Sequence, residues 1–197
     1  DANTEAGMQF DKVSDDDYFR DLSNMLATTS QTHLNHEAWI ATNHETWHAD
    51  LRAQRFQTLQ DSTTTPIAAP YARLPQARFG MQRGFGNGLE FMLDSEATRF
   101  AHADPAMREG TRILAYPRVR LPFSNAFGFL TPQLGWHSTW YALDSGAPEQ
   151  RITRSLPIFS LDAGVAFDRP FSFAGQDYEQ TREPRVYYVF APYRDQT

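Results

Sequence analysis

His44-Glu45-Thr46-Trp47-His48 matches H-E-x-x-H, the zinc-protease motif. Its chemistry needs a helix, with both imidazoles one turn apart on one face and the glutamate reaching the metal-bound water. The flanking residues do not repeat at helical spacing. Trp47, Ala49, Leu51 and Ala53 alternate with His48, Asp50, Arg52 and Gln54. A strand places the two histidines about 13 Å apart, too far to share a metal. The expected reading is a polar hairpin turn, with no catalytic residue and no metal site. His33 and His36 fall on opposite strand faces and make a poor ligand pair. Asp15-Asp16-Asp17 could hold Ca²⁺ loosely, but an acidic run in a loop reads first as solvated charge. No nucleophile elbow is present. Gly84-Phe85-Gly86-Asn87-Gly88 opens no helix and so is no phosphate loop. No cofactor is implied.

The remaining candidates are charged residues in alternating segments. Glu90, Asp94 and Glu96 share one face of one segment, and Arg112, Arg118 and Arg120 share one face of another. Arg185 follows Glu183 near the end of the chain. The arginines either meet anionic sugar or phosphate groups or pair with carboxylates on neighbouring strands. Val119 and Leu121 occupy the opposite, apolar face beside Arg118 and Arg120.

These residues are positioned by period-two patterning along nearly all of the chain. Nine segments carry it: 5–13, 32–42, 46–59, 71–84, 89–103, 111–124, 129–143, 156–169 and 180–192. They approach or exceed the ~9–11 residues that a tilted strand needs to cross a bilayer, against ~5–6 for an ordinary soluble strand. Short turns with Gly or Asn at 43–45, 86–88 and 125–128 alternate with polar loops at 14–31, 60–70, 104–110 and 144–155. Glycine and asparagine there are expected to supply positive φ. Short turns on one rim and long loops on the other are the habit of membrane barrels. The connection at 170–179 is long for the rim it should occupy. Pro75, Pro117, Pro122, Pro132, Pro157 and Pro184 are expected to mark bulges or local unpairing. The pattern also fits a soluble glycan-binding β-sandwich.

Composition agrees with an ordered β-rich chain. Of 197 residues, 41% are hydrophobic, 21% charged and 14% aromatic. There is no cysteine, hence neither a disulfide nor a thiolate metal site. A net charge of −6 argues against nucleic acid as a partner. Lys12 is the only lysine among 18 cations; the rest are arginine, which suits fixed bidentate contacts but also follows from GC-rich codons. No apolar run approaches the ~20 residues of a membrane helix. The chain opens at Asp1 with no signal peptide and is expected to be processed or cut from a longer one.

Three stretches carry a family resemblance: Leu121-Pro122-Phe123-Ser124-Asn125-Ala126-Phe127-Gly128-Phe129-Leu130-Thr131-Pro132, Leu156-Pro157-Ile158-Phe159-Ser160-Leu161-Asp162-Ala163-Gly164 and Gln180-Thr181-Arg182-Glu183-Pro184-Arg185-Val186-Tyr187-Tyr188. Phe10-Asp11-Lys12-Val13-Ser14-Asp15, Asp17-Tyr18-Phe19 and Pro192-Tyr193-Arg194-Asp195-Gln196 add to them. Together they resemble LptD, the LPS-assembly proteins of the bacterial outer membrane, also called Imp or OstA. The resemblance implies an all-β fold, an antiparallel up-and-down meander of about nine strands within a large transmembrane β-barrel. Residues 1–197 would be an interior segment of its C-terminal barrel domain, without the periplasmic N-terminal domain, the paired cysteines or the lateral gate. It implies no enzyme. It implies LPS as transported substrate, LptE as a plug lipoprotein, and LptA as a bridge reached through the missing N-terminal domain. Localisation would be the outer membrane of a Gram-negative bacterium. The lumen-facing candidates for LPS or LptE contact are then Arg112, Arg118, Arg120, Glu183 and Arg185. A generic porin or receptor barrel is the alternative within the same fold.

Overall fold

The computed structural model describes residues 3–18, 32–60, 65–144 and 150–193. Its strands are β1 (Asn3–Phe10), β2 (His33–Asn43), β3 (Trp47–Thr58), β4 (Ala72–Gly84), β5 (Glu90–Ala101), β6 (Gly110–Arg120), β7 (Phe123–Asn125), β8 (Gly128–Leu143), β9 (Arg151–Val165), β10 (Phe167–Phe173), β11 (Gln176–Arg182) and β12 (Arg185–Phe190). The main sheet follows the order β1-β2-β3-β4-β5-β6-β8-β9-β12, with the short β7 paired to β8. This is the expected meander, with each strand beside its neighbour along the path. No helix crosses residues 36–50, which hold most of β2 and the start of β3. No described helix is long and apolar enough to span a membrane, which says nothing about strands.

Several segment boundaries differ from the sequence reading. The strand of segment 5–13 ends at Phe10, segment 111–124 breaks after Arg120, and segment 156–169 starts earlier, at Arg151, and ends at Val165, with residues 167–169 in β10. The last segment, 180–192, is split. Residues up to Arg182 belong to β11, and only Arg185–Phe190 joins the main sheet beside β9. The overlong connection at 170–179 is itself structured: β10 and β11 form a separate two-stranded sheet. Ala174 and Gly175 turn it with φ of 53° and 77°. Two positive φ values in a two-residue loop match the right-handed twist of the flanking strands.

The turns work differently from expectation in one respect. Among the described residues only Gly88, Ala174 and Gly175 have positive φ. Asn125 instead accepts hydrogen bonds at its side-chain oxygen from the amides of Phe127 (2.9 Å) and Gly128 (3.1 Å), and Asn87 accepts one from Leu89 (3.2 Å). The asparagines close these turns by mimicking a backbone carbonyl, not by adopting a left-handed conformation. Pro122 and Pro184 do fall in breaks between strands, whereas Pro75, Pro117, Pro132 and Pro157 lie inside β4, β6, β8 and β9. The loop expected at 14–31 lies mostly outside the described residues, as do the middle of the 144–155 loop, residues 61–64 and the motif residues Phe19 and Arg194 to Gln196.

The described chain divides into two compact units. The first comprises residues 1–80, 95–114 and 139–153; the second comprises 81–94, 115–138 and 154–197. In the first, Val13, Leu34 and Leu59 form a small buried apolar cluster. Gln57 fastens it by accepting from the Val13 amide (3.3 Å) and donating to the Val13 carbonyl (3.1 Å). Segment 11–13, expected as strand, is held on β2 by the Asp11 amide donating to the Asn35 carbonyl (3.0 Å) and on β3 by the Gln57 side chain. Mid-strand glycines accept aromatic rings: a Cβ on Gly7 would stand 2.7 Å from the Trp39 ring. In the second unit, a Cβ on Gly164 would stand 2.5 Å from Phe129. An aromatic ring laid over a strand glycine replaces the packing that the glycine lacks.

Candidate functional site: a face of paired charges

The H-E-x-x-H residues do not form a metal centre. His44, Glu45 and Thr46 make the β2–β3 turn, closed by the His44 amide donating to the Trp47 carbonyl at 2.8 Å. The His44 ring stacks on Trp47 (5.6 Å), and the His48 ring packs over Gly80. Among the described residues no three His, Asp or Glu side chains converge where a metal ion could sit. Purified protein is expected to contain no stoichiometric zinc; zinc that disappears on replacing His44 and His48 by alanine would revive the protease reading. His33 bonds Thr58 (3.2 Å), while His36 donates to the Asp11 carbonyl (2.7 Å) and stacks on Phe10. Both are occupied structurally. Asp15 accepts from the Asp17 amide at 3.1 Å, closing a local turn.

The charged residues of β5 and β6 are brought together. In the first unit, Arg112 donates to Glu96 at 2.5 Å. Glu96 also accepts from Thr98 (2.8 Å) and Gln76 (3.1 Å). Thr98 is 0% exposed and Gln76 is buried, so this carboxylate ties three strands at a crowded point. In the second unit, Arg120 pairs with Glu90 at 2.6 Å and Arg118 pairs with Asp94. The Arg118 guanidinium also lies 4.8 Å from the Tyr116 ring centre. Pairing across strands is thus the state of all three arginines, and none offers an unpaired positive charge. Similar rungs join Arg52 to Glu37 (3.4 Å) and Arg78 to Asp50 (2.8 Å) in the first unit.

Arg185 begins β12 and pairs with Asp162 of β9, not with Glu183. Its guanidinium stands 5.7 Å from the Phe129 ring. Glu183 sits in the link between β11 and β12, exposed and off any strand. Asp162 was the partner that sequence reading missed. Its position opposite Tyr187 follows from the register, which no local pattern reports.

Beyond the end of β8, Asp144 receives two hydrogen bonds from Arg99, at 2.8 and 2.5 Å. These bonds hold its carboxyl below the ordinary carboxylate range. The contribution of the pair is therefore present above the ordinary aspartate value and is lost as pH falls through the lowered one. Exposure keeps it small.

Burial is inverted relative to a water-soluble sheet. Among the described residues the buried polar ones, Gln76, Thr98, Ser138, Thr139 and Ser160, outnumber the buried apolar ones, Val13, Leu34, Leu59 and Met92, while Leu51 and Ile113 are each 48% exposed. In the first unit Ile40, Leu51, Ala77, Phe79, Ala97 and Ile113 line one open apolar depression. The register pairs Ile40 with Leu51, confirming a common face for these two. In the second unit Val186, Tyr188 and Phe190 lie opposite Ala163, Leu161 and Phe159. One face is thus charged and tightly bonded, and the other is apolar and uncovered.

The family model described as LPS transport system D matches residues 1–197. The chain belongs to the LptD family. It is 67% identical over 196 residues to the LPS-assembly protein LptD of Thiobacillus denitrificans, covering 99% of this chain and 26% of that protein. It is 41% identical to the LptD of Nitrosospira multiformis, covering 99% and 22%, and 42% identical to that of Chromobacterium violaceum, covering 94% and 24%. The chain spans about a quarter of the length of these LptD relatives. The resemblance seen in the terminal motifs therefore extends over the whole chain, including residues 30–110, which carry none of them.

Proposed function

We propose that this chain is a wall segment of an outer-membrane β-barrel that inserts LPS into the outer leaflet, in a Gram-negative bacterium. The observation that carries this is the inverted burial: an uncovered apolar face on strands of 11 to 16 residues, backed by a face of paired charges. Lipid is the natural cover for the first face, and the barrel interior the natural place for the second. Family membership supplies the assignment to LPS assembly and to the Lpt machinery. The chain acts as structure and surface, without catalysis.

In this reading Arg112, Arg118, Arg120 and Arg185 face the lumen. Because each is paired with a carboxylate, a phosphate of LPS would have to displace that partner and leave a negative charge beside it. A plug protein faces no such penalty, since it can use the capacity that remains. The Arg118–Asp94 and Arg120–Glu90 pairs stay partly open, with Asp94 52% exposed, so groups of a plug protein can reach them without breaking them. LptE is therefore the favoured contact of this face. Glu183, exposed in a link off the main sheet, is the weakest of the lumen candidates. LptA would act through the N-terminal domain that the resemblance implies elsewhere in the parent protein.

A photo-cross-linker at position 118 or 120 of the full-length protein is expected to capture LptE. The same probe at 119 or 121 is expected to capture only lipid, including LPS already in the outer leaflet. Equal LptE yields from the two faces, or capture from 119 and 121 alone, would overturn the face assignment.

A further inference from the structure

The β10–β11 hairpin lies outside the meander. Both its edges are unpaired, and every residue of its strands except Gln180 is exposed. A lone two-stranded hairpin is marginal in water and needs a surface to lie on. Its register separates two unlike faces. Phe167, Phe171, Phe173 and Tyr178 share one face with Arg169 and Arg182. The opposite face carries Asp168, Asp177 and Glu179. Phe171 stacks on Tyr178 at 5.5 Å, and Phe173 stands 69% exposed. Arg169 donates to the neutral Gln180 at 3.0 Å. Among the described residues neither Arg169 nor Arg182 is in an ion pair, in contrast to the arginines of β6. Of the eight side chains on this face, six are aromatic or cationic, the other two are the neutral Gln176 and Gln180, and no acid interrupts it.

The hairpin also has a defined level. The Ala166 amide at its base donates to the Phe127 carbonyl at 2.9 Å, fixing it to the β7–β8 turn. Phe127 is 76% exposed there. Within the same unit, Phe85 at the β4–β5 turn is exposed, with the Arg83 guanidinium 5.8 Å from its ring centre. Exposed aromatics with arginine thus recur at the short-turn end of these strands. Aromatic rings with one wet edge settle at the headgroup level of a bilayer, and arginine pairs with lipid phosphate.

We infer that the β10–β11 hairpin is an interfacial anchor, lying with its aromatic and arginine face on the anionic phospholipid headgroups of the leaflet at the short-turn rim, and with its acidic face toward water. This rests on the membrane-barrel reading above. Charge separation between the two faces is what selects an anionic lipid surface over a protein as the occupant. A strand-adding protein would use the edges and be indifferent to which face bears the arginines.

The test uses full-length protein in phosphatidylethanolamine–phosphatidylglycerol vesicles, spin-labelled one position at a time through Phe173→Cys or Asp177→Cys. Accessibility to oxygen and to a water-soluble nickel reagent is then read by power saturation. The expected result is a label at 173 that favours oxygen and a label at 177 that favours nickel. Adding Arg169→Gln and Arg182→Gln should move the label at 173 toward the aqueous reading. Equal aqueous readings at 173 and 177 would overturn the anchor. So would shielding of 173 from both reagents in phospholipid-free detergent as well as in vesicles, which would mean a protein cover. An unchanged reading after loss of both arginines would overturn the anionic-lipid assignment. Labels at 119 and 118 test the barrel separately: if 119 fails to favour oxygen, the barrel reading itself has failed.

Discussion

Leu51→Arg is expected to destabilise the full-length barrel in a bilayer by about 2–4 kcal/mol, the cost of arginine on the lipid face near the midplane. Leu51 lies near the middle of β3, opposite Ile40 of β2, and half of its surface is uncovered. The depression around it is mostly apolar, with Ile40, Ala77, Phe79 and Ala97, and the carboxylates at its margin, Asp50 and Glu96, are already paired with Arg78 and Arg112. The same change on a water-exposed sheet would cost about 0.5 kcal/mol or less, as for most surface substitutions. The measurement is denaturant unfolding of the protein in vesicles, with the heat-modified gel shift as a second readout. A loss near zero would remove lipid from the apolar face and return the soluble sandwich to consideration.

On the opposite face, Glu96→Ala is expected to cost about 2–4 kcal/mol, because it breaks a part-buried charge pair and leaves two buried polar groups without their acceptor. The substitution strands Arg112, Thr98 and Gln76 at once, and two of these three are buried. Glu96→Gln keeps the shape and one acceptor, so an intermediate loss is expected. Glu90→Ala removes a single pair with Arg120 that is more open to solvent. It should cost about 0–1 kcal/mol, as exposed pairs do. Unfolding midpoints of the three variants in the same vesicles decide the matter. Equal losses for Glu96→Ala and Glu90→Ala would mean that Glu96 is no hub.

Both predictions need the pairing of strands, and that is where sequence reading and structure part. Strand identity and face were legible in the chain because both are local. Successive side chains alternate sides, so Arg118 and Val119 are opposed wherever β6 lies. Turn positions were legible for the same reason, through Asn43, Gly88 and Asn125, although Asn125 acts as a side-chain acceptor and not through its own φ. The helical demand of H-E-x-x-H could be set aside because period two contradicted it within ten residues.

What remained open was which partner each charge meets. Sequence reading left Arg112, Arg118 and Arg120 between anionic ligands and neighbouring carboxylates. Only the register between β5 and β6 places Glu96, Asp94 and Glu90 within reach of them. Sequence reading placed Arg185 near Glu183 without naming its partner, and the structure pairs it with Asp162, 23 positions distant. The 170–179 stretch looked like an awkward loop, since its two short strands pair with each other and with nothing in the meander. The seat of Trp39 on Gly7 is invisible in the pattern of either strand. A strand's periodicity and turn chemistry are written in contiguous residues and survive without a fold. Register, ion-pair choice and ring-on-glycine packing are set between residues tens of positions apart, and a one-residue slip would change every one of them.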